Sequence, residues 1–289
     1  MPKICYREKN FRKKTRDIIQ KANEIIETYS EQGFDLTLRQ LYYQFVARDL
    51  FPNTERSYNM LGCVVNDARL AGVIDWDSIV DRTRGVKGNA HWKSPQEIIK
   101  SCAKQYKIDK WDNQEYEVEV WIEKDALVGV ISSVCRELDV DYFSCRGYVS
   151  QSEMWGAGYG RFNKPTIIFH LGDHDPSGID MTRDIQERLN MFAEDVVEVK
   201  RIALNQDQIK KYNPPPNPAK VTDSRYESYR ELYGDESYEL DALEPRVLES
   251  LVRKHVLEVR DEDLWESMCV KEEVDVLKLK QVVEDLEND

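Results

Sequence analysis

Thr166-Ile167-Ile168-Phe169-His170-Leu171-Gly172-Asp173-His174-Asp175-Pro176-Ser177-Gly178 decides the fold class of this chain. The first six residues form an almost unbroken apolar run, the pattern of a strand buried on both faces as in a parallel sheet. The Gly, Asp, Pro and Ser cluster after it predicts a tight turn into a helix, with Pro allowed in the first helical turn. A second acidic motif, Trp121-Ile122-Glu123-Lys124-Asp125-Ala126, closes the alternating run from Tyr116 to Ile122. In an open α/β sheet, ligands bind outside the carboxyl ends of the strands, so Glu123, Asp173 and Asp175 are expected to converge there.

Working outward, the pattern predicts strand 116–122, helix 125–138, strand 141–145, helix 151–161, strand 166–171, helix 177–193 and strand 196–203. Such β–α alternation means a parallel sheet covered by helices on both faces. Upstream, apolar stripes predict helices at 11–32, 38–50 and 55–71, with Thr37 capping the second. Val73-Ile74-Asp75-Trp76 and Ser78-Ile79-Val80-Asp81 read as short strand material before Arg82-Thr83-Arg84-Gly85. Three short helices and a small hairpin make a winged-helix form of helix-turn-helix, whose last helix commonly enters a DNA groove. Arg56, Asn59, Asn66 and Arg69 are expected on or near that helix.

The fold expectation is therefore an α/β chain: a winged-helix domain over 1–88, a linker with one short helix over 89–114, a parallel α/β domain over 115–205, and an acidic, mostly helical extension over 206–289. In the extension, Asn213-Pro214-Pro215-Pro216-Asn217-Pro218 predicts an extended crossing. Helices are predicted from Arg246 to Val259 and from Lys271 to Leu286, the last packing on the domain or on a partner rather than carrying chemistry.

Composition narrows the function classes. At 289 residues and 41% apolar content the chain can bury two cores. No apolar stretch approaches the roughly 20 residues that span a bilayer, and the N-terminus lacks a signal-peptide core, so no membrane role and a cytoplasmic location are expected. The six cysteines and four histidines show no zinc-type spacing. Buried reduced thiols are expected, and His174 reads as a solvated loop residue. The net charge of −13 is uneven: residues 1–110 hold 20 Lys and Arg against 14 Asp and Glu, the remainder 21 against 40. The N-terminal part, with its cluster Arg12, Lys13, Lys14 and Arg16, is the part suited to phosphates.

Three hard carboxylate donors without a His or Cys cluster suit Mg²⁺, with Mn²⁺ as a substitute, and point to phosphoryl transfer. The alternative is that Asp173 and Asp175 only cap the following helix. A second candidate for chemistry is Leu38-Arg39-Gln40-Leu41-Tyr42-Tyr43-Gln44. At 100° per residue Tyr42 falls in the apolar stripe, while Tyr43 is expected to look outward beside Arg39, one turn back. A guanidinium that holds phosphate oxygens next to a phenol suits attack on a phosphodiester, although a phenol pKa near 10 requires help to ionise.

Arg39-Gln40-Leu41-Tyr42-Tyr43, Ile122-Glu123-Lys124-Asp125-Ala126, Arg146-Gly147-Tyr148 and Asp173-His174-Asp175-Pro176-Ser177-Gly178-Ile179 together resemble the topoisomerase VI A subunit and its relative, the meiotic double-strand-break protein, over residues 30–200 or so. The resemblance implies a Toprim-type α/β domain, Tyr43 as the nucleophile that becomes linked to a 5′ phosphate of double-stranded DNA, and Glu123, Asp173 and Asp175 as Mg²⁺ ligands. It further implies a homodimer in which the tyrosine of one protomer meets the metal site of the other. Lys124 and Arg146 join Arg56 and Arg69 as expected DNA contacts. The chain departs from the family in length, in Gly147-Tyr148-Val149-Ser150 where the family has Gly-Tyr-Pro-Asp, and in its acidic tail from Tyr238 onward. It looks like a compact stand-alone form, as found on phages and mobile elements in bacterial cells; strand passage would need an ATPase B-type partner subunit. The leading expectation is a Mg²⁺-dependent DNA transesterase that breaks DNA, with resealing left open. A hydrolytic Toprim nuclease and a non-cleaving DNA-binding module stay open beside it.

Overall fold

The α/β expectation is met at its centre. The computed structural model describes residues 3–80, 91–159, 161–193 and 196–288, with side chains to residue 285. Strands β1 (Glu117–Ile122), β2 (Asp141–Ser144), β3 (Thr166–Leu171) and β4 (Val197–Ala203) form one parallel sheet in the order β2-β1-β3-β4. Ile122 pairs with Leu171 at the carboxyl ends of the two central strands. The chain leaves β1 toward one edge and β3 toward the other, so the sheet reverses its winding between them, the place where such sheets open a crevice.

Alternation along the strands feeds two cores. Val118, Val120 and Ile122 face helices α5 (Val128–Glu137) and α10 (Pro245–Val259). Trp121 and Ile168 face α6 (Gln151–Gly158) and α7 (Pro176–Phe192). Both covering helices use one residue every turn: Met181, Ile185 and Leu189 on α7, and Leu248, Val252 and Val256 on α10, all buried. Each such side chain contributes about 1.5–3 kcal/mol relative to exposure, which fastens the C-terminal segment to the sheet as firmly as α7.

The N-terminal module holds α1 (Lys13–Ser30), α2 (Leu38–Ala47) and α3 (Glu55–Leu70). Thr37 and Gln40 make the capping box that starts α2, and Thr54 caps α3. Ile19, Ala22, Leu41, Phe45, Leu61 and Val65 meet in its core. The expected hairpin is absent among the described residues. Residues 73–80 run as bends and irregular backbone, with Ile79 in a single parallel bridge to Leu36. Arg69 donates to the Trp76 carbonyl and lies over its ring at 4.8 Å. Asp81 to Gly85 lie outside the described residues.

The stretch read as a linker contains α4 (Pro95–Gln105), on which α11 (Glu262–Asn288) packs. That last helix starts nine residues before the expected Lys271, because Asp261 accepts from Leu264 N and Trp265 and Met268 extend its buried face. Helix α8 (Gln206–Tyr212) follows the sheet, and the proline-rich crossing ends in β5 (Asn217–Pro218). It pairs antiparallel with β6 (Glu236–Ser237) across α9 (Tyr226–Tyr233). All six cysteines are free, but Cys5, Cys63 and Cys102 are exposed, so burial holds for Cys135 and Cys145 only. No described helix is long and apolar enough to cross a membrane.

Candidate active site

The loop after β3 is built from backbone outward. Arg201 on β4 is half-buried beneath it and donates to the carbonyls of Gly172, Asp173, Gly178 and Leu204 and to Thr182 Oγ1. Burial lowers its pKa to about 10 in spite of the carboxylates of Glu123, Asp173 and Asp175 nearby, and it stays a cation at neutral pH. A side chain at Gly178 would break the loop and one at Gly172 would crowd the groups beside it. A Cβ on Gly172 would come 2.9 Å from Glu123 Oε2, and one on Gly178 would overlap the Asp173 carbonyl.

Each of the three predicted carboxylates sits at this sheet edge with its own duty. Asp175 caps α7, accepting from Gly178 N at 2.6 Å and Ser177 Oγ at 3.0 Å, so the capping alternative holds for this residue. Glu123 Oε2 accepts from Asp173 N at 2.8 Å, tying the ends of β1 and β3 together. Asp173 Oδ1 accepts from Leu240 N at 2.7 Å, and Oδ2 lies 2.9 Å from Lys124 Nζ. Burial raises the pKa of Glu123 and pushes Asp173 up to about 7.

Lys124, expected as a DNA contact, lines the cleft. Its ammonium is held among Asp173, Glu239 and Asp241. Burial would lower its pKa, but those three charges outweigh it and raise it. Glu239 and Asp241 flank Leu240 in a 3-10 turn of the C-terminal extension, and both also take Arg39 of α2, at 2.9 and 2.8 Å. The same turn puts Leu240 in the sheet core and Ala242 in the core of the N-terminal module.

Tyr43 does not look outward into solvent. It is 5% exposed, because the turn at 240–242 packs on α2 and covers the face that helical periodicity left bare. Arg39 lies over its ring at 5.9 Å. Tyr42 packs as expected, its hydroxyl accepting from Thr54 N at 2.8 Å. Burial, then the charge of Glu239, pushes Tyr43 up to about 12, while Arg39 and Lys124 pull the other way. The phenol is therefore neutral near pH 7 and requires a base to react.

A cleft of about 540 Å³ collects these groups: Arg39, Tyr43, Glu55, Glu123, Lys124, Asp173, Asp175, Lys220 and Glu239 line it, with Asn53 and Asn217 hydrogen-bonded to each other at its wall. Of the remaining predicted contacts, Arg56 is exposed at the start of α3, Arg146 is 72% exposed and pairs with Asp125 at 3.2 Å, and Arg69 is spent on Trp76. His174 is buried, not solvated. It meets Tyr229 Oη at 2.8 Å, and burial takes its pKa to about 4.

Hard oxygen donors suit Mg²⁺, but their placement here does not fit the ion. Among the described residues no group of three or more His, Cys, Asp or Glu side chains is disposed to hold a metal. The three carboxylates share a cleft without sharing a point, and Lys124 supplies the positive charge beside Asp173. Sequence spacing missed Glu239 and Asp241 as partners of Arg39 and Lys124, which lie more than a hundred residues away along the chain. No protein-family model matches the chain, and no curated protein matches it.

Proposed function

We propose that the chain is a DNA strand-breaking transesterase of the topoisomerase VI A type, with Tyr43 as nucleophile. One observation carries the reading: the only tyrosine and arginine pair that the sequence marks for chemistry lines the same cleft as the three carboxylates at the sheet's winding reversal. In the reaction the Tyr43 oxygen attacks a backbone phosphorus and forms a phosphotyrosyl bond. The bond to the 3′ oxygen breaks, and that oxygen leaves as a hydroxyl with a proton. Reversal by the 3′ hydroxyl reseals the strand without net hydrolysis.

Arg39 is suited to hold the phosphate oxygens once its own carboxylates release it. The carboxylates that share the cleft with Tyr43 are candidate bases, and Asp173, pushed up to about 7, is matched to taking and returning a proton near neutral pH. The lining holds five carboxylates (Glu55, Glu123, Asp173, Asp175, Glu239) against three cations (Arg39, Lys124, Lys220), so an entering phosphodiester needs added positive charge.

A second reading, a nuclease that attacks with water, is favoured by the burial of Tyr43 and its pKa of about 12. The two readings part on one experiment. Labelled supercoiled plasmid is incubated with the protein with Mg²⁺, with Mn²⁺ and with chelator, and stopped with detergent. Transesterification yields DNA covalently attached to protein, lost in Tyr43→Phe. Cleavage without attachment that survives Tyr43→Phe establishes hydrolysis, and binding without cleavage under any condition leaves a DNA-binding module.

A further inference from the structure

The chain itself supplies an anion to the two cations at the front of the cleft. Glu239 Oε2 accepts from Arg39 Nη2 at 2.9 Å and from Lys124 Nζ, so one carboxylate oxygen bridges both. Two cations converging on one oxygen is also how proteins hold a phosphate. Each cation has a second, deeper anchor: Arg39 Nε lies 2.8 Å from Asp241 Oδ2, and Lys124 Nζ lies 2.9 Å from Asp173 Oδ2. The two carboxylates of the turn differ in freedom. Asp241 is buried on a short stem between Leu240 and Ala242, which sit in the two cores, and it stands behind the cleft lining. Glu239 is part of that lining, its side chain is 27% exposed, and its stem is one methylene longer. It can turn out to solvent by rotamer changes alone, leaving the turn, Arg39 and Lys124 in place.

We propose that Glu239 is a built-in stand-in for a phosphate: its carboxylate fills a subsite made by Arg39 Nη2 and Lys124 Nζ, and it swings aside when a phosphate group enters. That the phosphate belongs to a DNA backbone rests on the strand-breaking reading of the cleft, while the subsite rests on the two cations. The exchange is inexpensive, because Asp241 keeps hold of Arg39 and Asp173 of Lys124 throughout, and neither cation is left buried and unpaired. It also replaces one anion by another in a lining that holds five carboxylates against three cations. Only molecules with Glu239 turned out accept a phosphate, so the bridge lowers the apparent affinity of the resting protein by that fraction.

The test uses the full-length chain with chelator present, so that binding is read without cleavage. A fluorescent DNA duplex is titrated with the unsubstituted protein, with Glu239→Gln and with Glu227→Gln, which removes the same charge from an exposed position on α9 outside the cleft lining. Glu239→Gln should bind the duplex on the order of tenfold more tightly. Glu227→Gln should stay within about twofold of the unsubstituted protein. Adding Arg39→Gln to Glu239→Gln should abolish the gain. The second probe is inorganic phosphate, which should raise the melting temperature of Glu239→Gln more than that of the unsubstituted protein; the same melting curves show that each variant is folded. A gain for neither probe, an equal gain from both single glutamine variants, or a gain that survives Arg39→Gln overturns the proposal. A gain for phosphate alone supports the subsite and counts against the strand-breaking reading, so the two fail separately.

Discussion

Two acidic pairs of the same spacing, Asp173 with Asp175 and Glu239 with Asp241, meet at one cleft by opposite means. In the first pair Asp175 is fixed by its own neighbourhood, capping α7, while Asp173 takes its place from the strand end and is held also by Leu240 N and Lys124. The second is fixed by cations of distant segments, Arg39 and Lys124. A carboxylate held by local backbone can be foreseen from spacing, whereas one held by a remote side chain cannot.

The largest expected effect breaks the local side of this comparison. Gly178→Ala drives a methyl into the Asp173 carbonyl and should cost about 3 kcal/mol or more, a fall of roughly 6 °C or more in melting temperature. Next comes Asp173→Asn. Its pKa is raised from 3.8 to about 7, so the folded state binds the proton that the unfolded state has lost. Stability of the unsubstituted protein therefore falls as pH rises from about 4 and levels off above about 7. Asparagine removes that cost: the variant should be more stable than the unsubstituted protein at pH 8 and equal to it at pH 4, seen in urea midpoints.

The remote side is tested by a double-mutant cycle. Arg39→Ala and Asp241→Ala should show a coupling of about 1–2 kcal/mol, and additive effects would mean that the pair is not formed in solution. Glu239 titrates in the opposite sense to Asp173. Burial would raise its pKa, but Lys124 and Arg39 outweigh burial and lower it below 4.5. Its contribution is present above that value and lost as pH falls through the lower folded one, so Glu239→Gln should cost about 1 kcal/mol at pH 7 and progressively less toward pH 3. The smallest effect is that of Arg146→Ala, whose pair with Asp125 is exposed: under about 0.5 kcal/mol of stability, with any loss of DNA binding fading at high salt.

The central sheet was legible because its signal is local. Thr166–Leu171 is the strand that its apolar run predicts, and the carboxylates of both motifs stand at the strand ends as expected. What periodicity left out lies in contacts between segments. Tyr43 is off the stripe of its own helix and buried all the same, since a turn about 200 residues later supplies a second packing surface. Residues 73–80 carry enough β-formers for a hairpin, yet Arg69 holds Trp76 and Ile79 pairs with Leu36. His174 has the neighbours of a solvated loop in sequence and the hydroxyl of Tyr229 in space.

The two cations behind these carboxylates differ in kind. Arg201 is wired to four carbonyls and a hydroxyl by a planar fork and cannot move without unmaking the loop. Lys124 reaches its three carboxylates on a four-carbon stem that can swing by rotamer changes alone. The electrostatic state of the cleft can thus be switched by one elementary charge while the backbone stays still. Arg201 sets a constant background, and Lys124 is the adjustable part.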